Sequence, residues 1–398
     1  MQKILWLLTV ITIPLLMISE FRFASIPLTH ISLLILGALN FKSLFKIKVG
    51  NMEKSIYYVF LFFIIISLLD LTRSLRPTGD FFYEFKLILL LITIKLYSFF
   101  IFKYGINFFL KWLILSSGLI LTALIFRSLF IYNASFFVVD AEQVSESGKN
   151  QLSFYLALTT PFVVWFFKNF KMNLIWKIIA AASLIIHLFS AIYVQSKGII
   201  LATLGSYFIT FLFYSSKKLR LGSILKIGIA LLIPVYLIVS SEYIDLSGFE
   251  TELTDLLNQN TASSNSATER LNFINRSWGY FLDNPFIGIG TNNFGAIEEK
   301  ATHNNYLQIM SENGLLGFII FIIFLYYIHL YLLKLKSPEP IYFMAVNSFW
   351  ALTIYLFVIN GFFNAITVII LSIVIYFEKS SKCINHSKKD LLILKLKK

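Results

Sequence analysis

Uncharged apolar runs of about the length that crosses a bilayer recur from the first residues almost to the last. Only 14% of the 398 residues are charged and 58% are hydrophobic, whereas a soluble domain carries about 25% charged residues. Backbone polar groups cannot be left bare in lipid, so each run must close on itself as a helix or join a sealed barrel. The alternating pattern of a barrel is absent. The fold class is therefore an all-α polytopic membrane protein. Its apolar runs lie near 4–19, 24–41, 55–70, 82–102, 110–132, 152–168, 174–194, 198–215, 223–240, 315–333, 341–359 and 362–377, which predicts about twelve transmembrane helices. The third and twelfth are short and are expected to tilt. The opening Met1-Gln2-Lys3 before an apolar run mimics a signal peptide but lacks a small-x-small cleavage site, so it is read as the first span.

The net charge of +13 sits in lysines of short loops and of the tail, from Lys42 and Lys46 to Lys397 and Lys398. That placement is a topology signal rather than a nucleic-acid surface. It puts both termini in the cytoplasm and most acids, including Asp70, Asp80, Asp140 and the cluster from Glu242 to Glu299, on the outer side. The chain then divides into spans 1–9 over 1–240, a large outer loop with short helices over 241–314, spans 10–12 over 315–378, and a basic tail over 379–398. The single cysteine, Cys383, allows no intrachain disulfide and no cysteine metal cluster. With no Walker motif, no His-Glu-x-x-His and no compact carboxylate cluster, no metal or cofactor is expected. Gly288-x-Gly290 with Gly295 follows no strand of a βαβ unit, so it is not a dinucleotide loop.

Lysine outnumbers arginine by 27 to 7, yet six arginines (Arg22, Arg73, Arg76, Arg127, Arg270 and Arg276) fall on the outer side, where the topology rule disfavours them. Guanidinium grips phosphate in a bidentate fork that ammonium lacks, so this set points to a phosphate or diphosphate ligand. The plainer alternative is snorkelling or pairing with outer acids. Arg127, inside Leu-Ile-Phe-Arg-Ser-Leu-Phe-Ile, is the most telling in isolation, with Glu84 and Lys86 as available partners. Lys95 falls nearer mid-membrane, and His30, His187 and His329 read as structural. In the outer loop a helix is expected over 267–282, capped by Ser266 or Thr268. Leu271, Ile274, Trp278, Phe281 and Leu282 make its apolar face, with Arg270 beside that face and Arg276 away from it. Asp283-Asn284-Pro285 ends the helix and a glycine-rich turn follows at 288–295. A short helix then runs from Thr302 or His303 to Gly314. His303, Leu307 and Met310 share one side of it, placing the imidazole beside Asn304 and Asn305 at a helix N-terminus that favours anions.

Arg270-x7-Trp278, Asn284-Pro285-Phe286-Ile287-Gly288-Ile289-Gly290, His303-Asn304-Asn305-Tyr306-Leu307 and Glu312-Asn313-Gly314-Leu315-Leu316-Gly317 together resemble the signature of the O-antigen ligase and O-antigen polymerase superfamily. The resemblance implies an inverting, metal-independent glycosyltransferase in the bacterial inner membrane, with its active face in the periplasm. The donor would be a glycan on undecaprenyl diphosphate. The acceptor would be the lipid A-core for a ligase, or a second lipid-linked glycan for a polymerase. It implies that Arg270 binds the diphosphate and that His303 is the general base for the acceptor hydroxyl or orients it. The family's Ser/Thr-Arg at an earlier outer hairpin is replaced here by Gln195-Ser196-Lys197-Gly198, so Lys197 keeps the charge and loses the fork. Arg127, Arg276, Arg73, Arg76 and Asn304 complete the candidate substrate-binding set. A transporter is the competing class, supported chiefly by Lys95.

Overall fold

The structure is a computed structural model that describes residues 1–17, 22–23, 26–46, 49–72, 82–127, 146–169, 173–193, 197–214, 266–298, 302, 304–335, 340–357 and 362–396. Fourteen helices are described: α1 (Gln2–Thr12), α2 (Leu28–Leu39), α3 (Phe41–Lys46), α4 (Asn51–Leu69), α5 (Phe82–Tyr104), α6 (Ile106–Phe126), α7 (Glu146–Asn169), α8 (Leu174–Tyr193), α9 (Lys197–Tyr214), α10 (Ser266–Asp283), α11 (Asn293–Glu298), α12 (Asn305–Leu335), α13 (Pro340–Tyr355) and α14 (Ala365–Leu396). A two-residue ribbon pairs Arg22–Phe23 with Ile26–Pro27 between α1 and α2.

Four helices are long and apolar enough to cross a membrane, Asn51–Leu69, Tyr83–Tyr104, Ile106–Phe126 and Asn305–Leu335, and six shorter apolar helices accompany them. These ten coincide with ten of the expected spans. The expected ninth, 223–240, lies outside the described residues. The two spans expected to be short belong to full helices, α4 with 19 residues and α14 with 32, because each continues past its apolar run into polar sequence that the hydropathy pattern cannot claim. α14 is the buried spine: from Ile366 to Ile375 every residue is buried. It packs on α5 and α4, while α13 packs on α9 and α7. α9 and α13 are antiparallel, since Gly205 abuts Ile354 and the Tyr214 ring lies 6.3 Å from that of Tyr342.

One end of the bundle is held by charge. Glu53, in the first turn of α4 and fully buried, accepts from Lys95 Nζ at 2.7 Å and from the Tyr57 hydroxyl at 2.7 Å, and its other oxygen faces Lys379 Nζ at 3.0 Å. Glu378 on α14 caps α4 itself, accepting from the amides of Asn51 (2.6 Å), Met52 (3.1 Å) and Glu53 (3.4 Å). A carboxylate there satisfies amides that have no intrahelical acceptor and complements the helix dipole. Lys95 thus has a partner that the one-dimensional pattern placed far away. Removing one member of such a buried ion group costs about 3–5 kcal/mol. Glu53→Gln is therefore expected to lower the thermal midpoint of the detergent-solubilised protein clearly, and Lys95→Met to lower it less, because Lys379 still pairs with Glu53.

Candidate functional site

At the other end the chain builds a hairpin of two helices. α12 is not continuous: Gly314 has φ 62° and ψ −163°. The Tyr306 ring lies 5.8 Å from that of Phe321, residues that a straight helix would hold roughly 22 Å apart. The segment 305–313 therefore folds back along the span that begins at Leu315, and the spanning part is still about 20 residues long. The short helix begins at Asn305, with Asn304 Oδ1 capping the amide of Leu307 at 3.1 Å. Its first turn is tied to the junction of α13 and α14. Asn305 N donates to Leu356 O (2.9 Å), Asn305 Oδ1 accepts from Phe362 N (3.3 Å), and the Tyr306 hydroxyl donates to Thr353 O (2.8 Å).

The reversal leaves helix ends bare: the last carbonyls of the short helix and the first amides of the span have no intrahelical partners. The glycine-rich loop supplies them. Ile289 N and Gly290 N donate to the carbonyls of Ser311 and Glu312, both at 2.9 Å. In the opposite sense Leu315 N and Leu316 N donate to the carbonyls of Pro285 (2.7 Å) and Phe286 (3.3 Å). Backbone meets backbone so closely that a Cβ on Gly288 would strike the backbone of Glu312, and one on Gly314 the backbone of Phe286 and Ile287. Both glycines also have positive φ.

Asp70, just past the end of α4, fixes this knot to the bundle. Its Oδ2 accepts from Thr291 N at 2.9 Å and Thr291 Oγ1 at 3.0 Å, and Asn313 Nδ2 donates to the same hydroxyl at 2.6 Å. Glu312 Oε1 accepts from Gln308 Nε2 (3.0 Å) and Phe294 N (3.3 Å). All of Asp70, Thr291, Glu312 and Asn313 are buried, so each lost bond would leave an unsatisfied group costing about 1–3 kcal/mol. Sequence reasoning passed over Asp70 as one outer acid among several. Its position at the end of an apolar helix, with no basic residue beside it in sequence, was the available signal.

α10 ends at Asp283, as the Asp-Asn-Pro break requires, but its packed face differs from the expected one. Phe273 and Ser277 are buried. The Phe294 ring meets Phe273 at 6.2 Å and Tyr280 at 5.9 Å, and Ser277 Oγ donates to Leu307 O at 3.1 Å. Trp278 and Leu282, expected on the packed face, are 48% and 58% exposed. The helix has two apolar edges, and the less greasy one docks because it carries the groups that bond to α11 and the short helix.

The candidate residues fall as follows. His303, Arg73 and Arg76 lie outside the described residues; so do the side chains of Arg270, in α10, and of Lys197, the first residue of α9. Their backbone neighbourhoods are informative. α10 and the short helix run in the same direction toward the glycine loop, so Arg270 and position 303 both precede the Ser277–Leu307 contact. Thr302 and Asn304, flanking position 303, bond to one another at 2.8 and 3.2 Å. Because Gly205 abuts Ile354, Lys197 begins α9 roughly 12 Å beyond that end of α13, the end to which Asn305 is tied. Arg127 closes α6, half-buried. Glu84, expected near it, accepts from the Ser67 hydroxyl. Arg276 is ion-paired with Glu298 of α11, whose other oxygen accepts from the Tyr280 hydroxyl at 2.6 Å. Burial disfavours the charge on Glu298, but the Tyr280 hydroxyl and the Arg276 guanidinium outweigh it and hold the carboxyl below its usual range. A carboxylate whose folded pKa is lowered stabilises at neutral pH, and that contribution disappears as pH falls through the folded value.

Two outcomes follow from this geometry. Gly314→Ala and Gly288→Ala are each expected to destabilise the cap by more than the ~1–3 kcal/mol of a strained backbone alone and to abolish activity. Gly279→Ala in α10, where a Cβ meets open space, should leave both intact; protease resistance and thermal midpoint report the difference. If Arg276 only clasps α10 to α11, then Arg276→Ala and Glu298→Gln should both weaken activity modestly, since a pair whose guanidinium is exposed to solvent contributes about 0–1 kcal/mol. A much larger loss for Arg276→Ala in a transfer assay would make it a ligand.

Residues 182–322 match the family model described as O-antigen ligase. A search of curated proteins returns no match. The matched stretch holds the end of α8, all of α9, α10, the glycine loop, the short helix and the head of the span. With the apolar helices it marks a bacterial membrane protein, and it supports the O-antigen ligase and polymerase superfamily for this chain.

Proposed function

We propose that the chain is an O-antigen ligase-type glycosyltransferase with about twelve spans and both termini cytoplasmic. It would move a glycan from undecaprenyl diphosphate to a sugar of the lipid A-core at the periplasmic face of the inner membrane. The observation that carries this reading is the confluence inside the matched region: the starts of α9 and of the short helix, and the early part of α10, approach one end of the bundle. Lys197 begins α9, Arg270 lies in the early part of α10, and His303 precedes the short helix by two residues in sequence.

In this reading the acceptor hydroxyl attacks the anomeric carbon from the face opposite the diphosphate. The new glycosidic bond forms as the bond to the diphosphate oxygen breaks, which inverts the centre. His303 takes the hydroxyl proton, a task suited to imidazole near neutral pH. Arg270 and Lys197, with Arg127, Arg73 and Arg76 as further candidates, hold the departing negative charge, work that preorganised cations do well in a site screened from water. The outward arginines carry out this neutralisation without a metal. Asn304 caps the short helix and so sets the direction of the chain through position 303. A polymerase would use the same chemistry with a second lipid-linked glycan as acceptor. The transporter reading loses its main support, since Lys95 is neutralised by Glu53 at the inner end.

His303→Ala and Arg270→Ala are expected to abolish surface glycan attachment with expression unchanged, and loss of a general base lowers the rate about 10²–10⁴-fold. Lys197→Arg should keep activity and Lys197→Ala should lose it. Normal glycan display in the His303 and Arg270 variants would refute the assignment. In a deletion strain, loss of all long glycan from lipid A with accumulation of lipid-linked polymer identifies the ligase, and lipid A bearing a single repeat identifies the polymerase.

A further inference from the structure

The outer cap shows an apolar surface that the glycosyl-transfer reading does not use. Phe286 and Ile287, on the loop that caps the hairpin, are 74% and 52% exposed, and with Leu315, Leu316 and Ile319 they line one shallow recess. This surface runs on without a break in polarity. Below it on α12, Ile322, Ile323, Tyr326 and Leu330 are also exposed and recur at helical spacing. α4 behaves alike: Tyr58, Leu61, Ile65, Leu68 and Leu69 are exposed on one face up to its last residue, and Asp70 then bonds Thr291 in the cap. Two membrane-crossing helices are therefore greasy on their outward sides up to the level of the hairpin tip.

The depth of the site follows from the same geometry. The Phe362 ring meets those of Phe321 (4.9 Å) and Phe324 (5.9 Å) edge to face, and its amide bonds Asn305. Asn305 thus lies level with residues 321–324 of the span, roughly 13 Å below the tip at Gly314. The start of the short helix is lower than the apolar surface above it. Non-helical backbone is tolerated at membrane depth only when its polar groups are satisfied within the protein, and most of this loop's backbone meets the condition. Asn284, Gly288, Ile289, Gly290 and Thr291 all donate their amides within the protein, and the carbonyls of Pro285, Phe286 and Ile289 all accept. From Asn284 to Ile297 the sequence carries no charged residue, and Trp278, on the exposed edge of α10, is of the type that sits at the lipid–water boundary.

We propose that the glycine loop and the hairpin tip are immersed in the outer leaflet, with bilayer acyl chains covering Phe286, Ile287, Leu315, Leu316 and Ile319. The site entrance then lies below the headgroups, and a lipid-borne substrate reaches it sideways from the leaflet. The proposal rests on the membrane reading of the chain and not on which glycan is transferred.

The test uses the full-length protein with Cys383→Ser and a single fluorescent label at Phe286→Cys, at Ile287→Cys, or at Asn272→Cys, which is exposed on the polar edge of α10 beside Arg276. Each is reconstituted in phosphatidylethanolamine–phosphatidylglycerol vesicles and quenched either by nitroxide-labelled acyl chains or by aqueous iodide. Labels at 286 and 287 are expected to be quenched several-fold more by the nitroxide lipid than by iodide, and the label at 272 the reverse. Iodide quenching at 286 and 287 as strong as at 272 overturns the proposal. So does loss of nitroxide quenching on adding undecaprenyl diphosphate, which would make the recess a seat for the donor's own chain. Transfer activity is read in no arm, so failure here is distinguishable from failure of the glycosyltransferase reading.

Discussion

The end of the molecule that bears the matched motifs depends on the mutual capping of a reversed helix by a glycine loop. When the chain turns back at Gly314 it exposes carbonyls at the end of one helix and amides at the start of the next, and buried backbone groups of that kind must be paired. Residues 285–290 pair both sets at once. The loop and the hairpin are thus two halves of one hydrogen-bonded object, and neither has a reason to hold its shape alone. Everything proposed for the site hangs from this object. α10 enters it, the span leaves it, and the residues around position 303 are set by the short helix that it terminates.

The two ends of the bundle are stabilised by different physics. The end at the start of α4 uses full charges: Glu53 with two lysines, and Glu378 over the amides of α4. The end that bears the hairpin uses a short polar chain, Asp70–Thr291–Asn313, to seat an otherwise apolar cap against α4. Arg276, clasped to Glu298, is the candidate that the geometry turns toward structure instead.

Much of the helix layout was legible in one dimension, because bilayer thickness imposes a length on every apolar run. The breaks at Asp283 and Gly314 were legible too, since proline and glycine act locally on the backbone. The face of α10 was misjudged for a specific reason. Hydrophobic periodicity ranks the greasier edge as the packed one, yet beside a membrane the greasier edge, with Trp278 and Leu282, can face lipid while Phe273, Ser277 and Tyr280 face protein. Lys95 was unassigned because its partner is 42 residues away in sequence, and no local pattern reports such a pairing. The Asp70 latch escaped for the same reason, with 221 residues between donor and acceptor.

By itself the sequence determined a helical membrane protein bearing the motifs of the O-antigen ligase and polymerase superfamily, because hydropathy and short motifs are written locally. Only the tertiary structure decided that the short helix runs back down beside its span, and that Asp70 holds the loop that caps it. It also decided that the start of that helix lies below the apolar rim. The physical reason is that a φ of 62° at Gly314 permits the reversal but does not select it. The selection is made by hydrogen bonds from residues 284–291 and 70, and by the junction of α13 and α14, which meet the hairpin only in the folded chain.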